Sequence, residues 1–228
     1  MQKIIIILGM QRSGTSCLAG ILENSGVNLG NVSTYNLFNK KGNRENTKIM
    51  KLHDALLQYN DGSWDDPPGS ITWPDHLKKE RDLIIAEYKE YSTWGFKDPR
   101  TVLALDGWLE ALPDVTFAAT FRHPYLVAQS LYTRDKFPYE KSYAIWKAYN
   151  EKLLFYYEKF NFPLVSYDLP RKSYKKKIKE LMKRLDIDVK RSAFDFYDKS
   201  LKHHDDISDS GIPVDVMEIY RELNRIAL

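Results

Sequence analysis

The chain has 228 residues but only one cysteine, Cys17, so an internal disulfide is excluded and nothing in the sequence suits it to an oxidising compartment. A reducing, cytoplasmic setting is the expectation. A long apolar run is also missing. Ile4 to Leu8 is the strongest apolar stretch near the start; it stops at Gly9 and falls far short of the roughly 20 residues that cross a bilayer. No membrane span and no cleaved leader are expected. Excess charge of one sign is lacking as well: 34 basic and 31 acidic residues leave a formal net charge of +3, too even to imply a nucleic-acid partner. Low-complexity tracts and internal repeats are absent. The 43% hydrophobic and 13% aromatic content is enough for one substantial core, which points to a single domain over residues 1–228.

What is present begins with Ile4-Ile5-Ile6-Ile7. Consecutive β-branched residues, apolar on both faces, are what a central parallel strand between two helical layers requires. A glycine-containing turn follows, and Leu18, Ile21 and Leu22 fall at helical spacing from about Thr15 to Asn24. Val27 to Asn46 reads as a loop, and a helix resumes near Thr47. A break at Asp61 to Ser70 precedes a helix from Pro74 to about Tyr91. Short strands are expected at Trp94 to Lys97, Val115 to Phe121 and Leu164 to Tyr167. Further helices are expected at Tyr125 to Leu131, Tyr139 to Lys159, Tyr174 to Leu185 and Val214 to Ile226. This alternation predicts a three-layer α/β/α sandwich around a mainly parallel sheet. The Lys175-Lys176-Lys177 run reads as the solvated face of one helix.

The turn Gly9-Met10-Gln11-Arg12-Ser13-Gly14-Thr15-Ser16 lies where a glycine loop opening a helix presents backbone N–H groups to an anion. Its spacing approaches that of a nucleoside-triphosphate loop, yet Thr15 stands where that loop carries lysine. Cationic charge comes instead from Arg12, whose planar fork matches phosphate or sulfate oxygens, with Ser13, Thr15 and Ser16 adding hydroxyls. Arg12-Ser13-Gly14-Thr15-Ser16 resembles the 5′-phosphosulfate loop of the sulfotransferases that use 3′-phosphoadenosine-5′-phosphosulfate (PAPS), chiefly the bacterial and tyrosylprotein types, and matches that loop at every position. The resemblance implies a P-loop NTPase-like fold, PAPS as cosubstrate and adenosine 3′,5′-bisphosphate as product.

The same resemblance assigns further residues. Arg122 at the end of the third strand and Ser130 eight residues on match the family's 3′-phosphate element. Tyr167 resembles a tyrosine that contacts the nucleotide phosphate in some members. Lys97, in Lys97-Asp98-Pro99, resembles a Lys-Asp-Pro element and is assigned to leaving-group stabilisation, with Arg12 beside it. Glu45 occupies the loop where several members place a catalytic glutamate; Asp98 and His53 compete for the role of base. Leu201-Lys202-His203-His204 resembles a segment near the family's C-terminal end, but two histidines without a visible third ligand imply no metal. The acceptor is expected to be a hydroxyl of a carbohydrate, lipid, peptide or small alcohol; its identity and the oligomeric state are not legible. The rivals are a small-molecule kinase, disfavoured by Thr15, and a nucleotide-binding module without a base.

Overall fold

The structure is a computed structural model that describes residues 2–35, 41–197 and 208–228. Chain order runs β1 (Lys3–Leu8), α1 (Thr15–Asn24), α2 (Thr47–Tyr59), α3 (Asp75–Ala86), β2 (Thr93–Lys97) and α4 (Thr101–Ala111). It continues with β3 (Thr116–Phe121), α5 (Pro124–Asp135), α6 (Tyr139–Phe160), β4 (Leu164–Ser166), α7 (Arg171–Arg184), a 3₁₀ turn (Arg191–Phe196) and α8 (Val214–Ile226). Among the described residues the strands form one parallel sheet in the order β2-β1-β3-β4.

The isoleucine run of β1 builds two cores because successive side chains leave a strand on opposite faces. Ile5 and Ile7 pack with Leu18, Ile21 and Leu22 of α1 and with Ile178 and Leu181 of α7. Ile6 and Leu8 face the other way, among Leu52 of α2, Trp108 of α4, Val127 of α5 and Trp146 of α6. All four of these β1 residues are fully buried, each contributing about 1.5–3 kcal/mol of transfer free energy. The sandwich therefore has three layers, as the strand composition implies. Register places Ile5 opposite both Gly95 and Thr116, and Ile7 opposite Lys97.

Several boundaries differ from the sequence reading. The third helix ends at Ala86 rather than near Tyr91, because Tyr88 leaves the helical path to stack on Trp94 at 4.3 Å and to donate its hydroxyl to Leu29 O. Helix α4 (Thr101–Ala111) has no counterpart in the periodicity: its buried face holds Val102, Leu105 and Trp108, but Gly107 interrupts the pattern. Helix α5 runs on to Asp135, and α7 starts at Arg171. The lysine run sits on α7 opposite the buried Tyr174, Ile178 and Leu181, with Lys177 paired to Glu180 at 3.3 Å.

In a parallel sheet the carboxyl ends of the strands share one edge, and ligands bind where the strand order reverses. Here β1 lies between β2 and β3, so Gly9, Lys97 and Arg122, which end or follow those strands, are carried to the same edge.

Candidate active site

The loop after β1 is shaped by close approach. Gly9 has φ +137°, and a Cβ there would lie 2.3 Å from the carbonyl oxygen of Thr120 on β3. Gly14 has φ +85°, and a Cβ would lie 2.3 Å from the ring of Tyr167. Both positions require glycine, each on two counts. Arg12 itself is in the left-handed region at φ 66°, an uncommon conformation for a residue with a side chain. Thr120 Oγ1 donates to Ser13 O at 3.1 Å, which fixes the middle of the loop to the sheet.

This loop fits an anion. Gly14 precedes the first residue of α1 and no side chain caps the helix's first turn, which leaves N–H donors and the positive end of the helix dipole facing the loop. Ser13 Oγ is buried and has no hydrogen-bond partner among the described residues. Arg12 donates its Nε to a neutral group, Ser130 Oγ, at 2.7 Å. Burial, then repulsion from Arg134 and Arg122, pulls the Arg12 guanidinium down to about 10. A half-buried cation among cations, an orphaned hydroxyl and uncapped amides are together complementary to a phosphate or sulfate.

The Arg12–Ser130 bond also joins two distant stretches of sequence, since Ser130 lies on α5. Arg122, at the end of β3, donates its Nε to Asp168 Oδ1 at 3.3 Å and stands 5.7 Å from the centre of the Tyr167 ring. Asp168 in turn accepts the His123 N–H through its other oxygen at 2.6 Å, and Trp146 Nε1 donates to Arg122 O at 3.0 Å. These contacts hold the strand end that presents Arg122. Burial pushes the Tyr167 phenol well above its usual range, so it stays a neutral donor.

On the other side of the loop, Lys97 Nζ lies 2.5 Å from Glu45 Oε1 and donates to Ser16 Oγ at 3.4 Å. Lys97 is 1% exposed and Glu45 7%, so the pair is desolvated at the edge of the sheet. Asn46, the next residue, caps α2 by accepting from Lys48 N, and its amide donates to Tyr88 Oη; this anchors Glu45.

Asp98 and His53 occupy a different environment. Asp98 is fully buried and accepts from Nε, Nη2 and the backbone N–H of Arg100. His53 Nδ1 lies 3.2 Å from Asp98 Oδ1, while its Nε2 accepts from Trp108 Nε1 at 2.8 Å. Burial opposes the charge on Asp98, but hydrogen bonds from Arg100 and the neighbouring His53 ring hold its carboxyl far below the usual range. Burial likewise opposes the Arg100 cation, and Asp98 more than restores it. His53 Nε2 and both oxygens of Asp98 are thus engaged internally, and His53 Nδ1 lies against Asp98 without a formed hydrogen bond. His203 and His204 lie outside the described residues. Among the described residues no group of three or more His, Cys, Asp or Glu side chains is placed to hold a metal, and no helix is long and apolar enough to cross a membrane.

Residues 5–188 match the sulfotransferase family. The chain belongs to that family. The match spans the loop after β1, Glu45, Lys97, Arg122, Ser130 and Tyr167. This sulfotransferase is a transferase enzyme of the expected α/β class, and the family assignment sets the kinase rival aside. Its fold is similar to that of the sulfotransferase domain from the Synechococcus PCC 7002 olefin synthase, at TM-score 0.65 and 16% identity over 98% of this chain and 96% of that one. It is also similar to the sulfotransferase domain from the curacin biosynthetic pathway, at TM-score 0.63 and 14% identity over 98% of each chain. Sulfotransferase STF9 from Mycobacterium avium superimposes at TM-score 0.55 and 14% identity, over 97% of this chain and 76% of its own. No curated protein matches the sequence.

Sequence reading left two contributors without a role. Asp168 was visible only as the neighbour of Tyr167, and its buttressing of Arg122 depends on β3 and β4 being adjacent. Arg134 carries a weak signal, four residues beyond Ser130 and hence on the same helical face.

Proposed function

We propose that this sulfotransferase moves the sulfuryl group of PAPS onto an acceptor hydroxyl, with adenosine 3′,5′-bisphosphate as the second product. The observation that carries the reading is the 2.7 Å bond from Arg12 Nε to Ser130 Oγ. It brings the two stretches expected to bind anions into contact, which supports a single nucleotide held at both ends. Arg12 and Arg122 are close enough for their charges to repel, which supports the same arrangement.

When bound, the donor supplies an activated sulfuryl group on a phosphate leaving group. The amides of α1, with Arg12, Ser13, Gly14, Thr15 and Ser16, hold the 5′-phosphosulfate; Arg122, Ser130 and Tyr167 hold the 3′-phosphate. Glu45 accepts the acceptor's proton as its oxygen forms the new bond to sulfur. The bond from sulfur to the bridging oxygen breaks, and the electron pair left on that oxygen is stabilised by Lys97, with Arg12 beside it. The 2.5 Å Lys97–Glu45 contact supports this pairing of roles, because one buried ion pair presents a base and a cation to the same small volume. Asp98 and His53, engaged with Arg100 and Trp108, act as supports rather than as bases. The acceptor class stays broad, with a carbohydrate, lipid, peptide or small alcohol hydroxyl all compatible, and residues 1–228 are read as one catalytic domain.

The test is calorimetric titration with adenosine 3′,5′-bisphosphate and, separately, with ATP plus magnesium. Wild type should prefer the bisphosphate, and Arg122→Ala should lose that preference. Tighter binding of ATP would defeat the PAPS reading.

A further inference from the structure

The residue before Glu45 is strained. Arg44 holds φ +57°, in the left-handed region where a side chain is disfavoured and glycine is at ease. Two residues earlier the chain is left-handed again at φ +76°, and there the residue is Gly42. Strain at a non-glycine position persists where surrounding contacts over-determine it, and the Arg44 side chain has such contacts. Its Nε lies 3.1 Å from Glu23 Oε2 on α1, and its guanidinium carbon sits 5.0 Å from the centre of the Phe196 ring. Lys41 approaches the same ring at 5.5 Å and donates its Nζ to the carbonyl oxygens of Asp195 and Phe196 at 2.6 and 3.2 Å. Phe196 is buried and pressed on α1, since a Cβ at Gly20 would lie 2.3 Å from its ring. Two cations thus sit on one aromatic ring that is itself fixed to α1.

The backbone bonds of Arg44 and Glu45 run to a loop residue. Arg44 N donates to Ser33 O at 3.1 Å, and Ser33 N donates to Glu45 O at 3.0 Å. Asn46 ties the segment forward, to α2 and to Tyr88. The Arg44 side chain supplies a direct link back to α1. That helix matters because its first turn carries Ser16 and the uncapped amides, and Lys97 reaches both Ser16 and Glu45. A contact that fixes the Glu45 segment to α1 therefore fixes the proposed base relative to the reacting end of the donor.

We infer that Arg44 is a positioning residue: clamped between Glu23 and the Phe196 ring, it holds the left-handed turn that directs Glu45 toward Lys97. This rests on the reading of Glu45 as the base. Arg44 acts through Glu45 and needs no contact with nucleotide or acceptor. Glycine at this position would relax the backbone but release the turn, so a strained arginine serves here because its side chain carries the clamp.

The experiment measures PAPS hydrolysis, with water as the acceptor, on wild type, Arg44→Gly, Arg44→Lys, Glu45→Gln and the double variant of Arg44→Gly with Glu45→Gln. Calorimetric titration of adenosine 3′,5′-bisphosphate accompanies each. Arg44→Gly suits the left-handed backbone and so keeps the fold, but should lower kcat by about 10- to 100-fold, the cost of a reacting group displaced by about 1 Å. KM for PAPS and bisphosphate affinity should stay within about threefold. Arg44→Lys keeps a cation for Glu23 and the ring, and should recover about threefold or more of the loss. In the Glu45→Gln background Arg44→Gly should cost nothing further, because no base remains to be positioned; an arginine that merely supports the fold would lower the rate in both backgrounds and weaken the nucleotide as well. Amide exchange over residues 41–48 reads the clamp without turnover and should quicken in Arg44→Gly. Unchanged exchange, a loss that persists in the Glu45→Gln background, a lysine no better than glycine, or a parallel loss of bisphosphate affinity would each overturn the inference. If Glu45→Gln hydrolyses PAPS as fast as wild type, the reading of Glu45 as the base fails and takes the inference with it, while the preference for bisphosphate over ATP judges the PAPS reading separately.

Discussion

Glu45 Oε1 and Lys97 Nζ meet at 2.5 Å although 52 residues separate them in the chain, and the lysine also reaches Ser16 of the anion loop. In the proposed mechanism this carboxylate accepts a proton from the acceptor hydroxyl while the ammonium remains beside the leaving group. Glu45→Gln is therefore expected to lower kcat by about 10²–10⁴, the usual worth of a general base. Bisphosphate affinity should change by less than about threefold, because glutamine preserves shape and the donor's phosphates contact other residues. Donor hydrolysis and calorimetry measure the two quantities separately; an unchanged turnover would remove Glu45 from the reaction.

Arg12 is held by a neutral hydroxyl, depressed by burial and by its cationic neighbours. Replacing a half-buried cation that lacks a carboxylate partner among the described residues with an apolar chain of similar length relieves that cost. Arg12→Met should leave the nucleotide-free protein as stable as wild type or more stable, by about 1 kcal/mol, yet abolish detectable bisphosphate binding. Urea unfolding with and without the nucleotide reads both effects, and a substantially destabilised variant would contradict the electrostatic argument.

Asp98 and Arg100 are buried together with His53 and Trp108. Asp98→Asn leaves the guanidinium short of a counter-charge and should cost about 3–5 kcal/mol. The sign with pH follows from the depressed folded value of Asp98. Its contribution is fully present above the ordinary carboxylate value of 3.8 and wanes as pH falls below it, because the unfolded chain then binds the proton more readily. Unfolding free energies at pH 7 and pH 3 should converge between wild type and variant; a constant gap would mean that the loss comes from packing.

Gly14 is confined twice, by its φ of +85° and by the Tyr167 ring 2.3 Å from where a Cβ would stand. Gly14→Ala should destabilise by about 1–2 kcal/mol from the backbone alone, with a further loss from the clash. In the double variant with Tyr167→Ala the clash portion should vanish and the backbone portion remain. Strict additivity in that cycle would show that the ring and the loop do not press on each other.

How much was legible depends on the range of the signal. The isoleucine run and the glycines of the loop act within a few residues, so β1 and α1 are readable from the chain. Helix α4 was not, because Gly107 breaks its period; the glycine is there because Trp73 packs where a Cβ would point, at 2.3 Å, a contact made by a residue 34 positions away. The motif residues Arg12, Ser13, Gly14, Thr15, Ser16, Arg122 and Ser130 were visible as types at spacings. Which of Glu45, Asp98 and His53 faces the loop was not.

The amino-acid sequence alone determined the layers and the chemistry on offer: a continuous β-branched apolar run compels a strand buried on both faces, and an arginine-bearing glycine turn without lysine offers donors for an anion unlike those of a triphosphatase loop. Only the tertiary structure decided the partners. Parallel pairing of β2, β1 and β3 carries three strand ends to one edge, so Lys97 finds Glu45, Arg12 finds Ser130, and Asp98 is withdrawn into Arg100. The physical reason is range, since strand composition is set locally while the meeting of charges across tens of residues exists only once the sheet has closed.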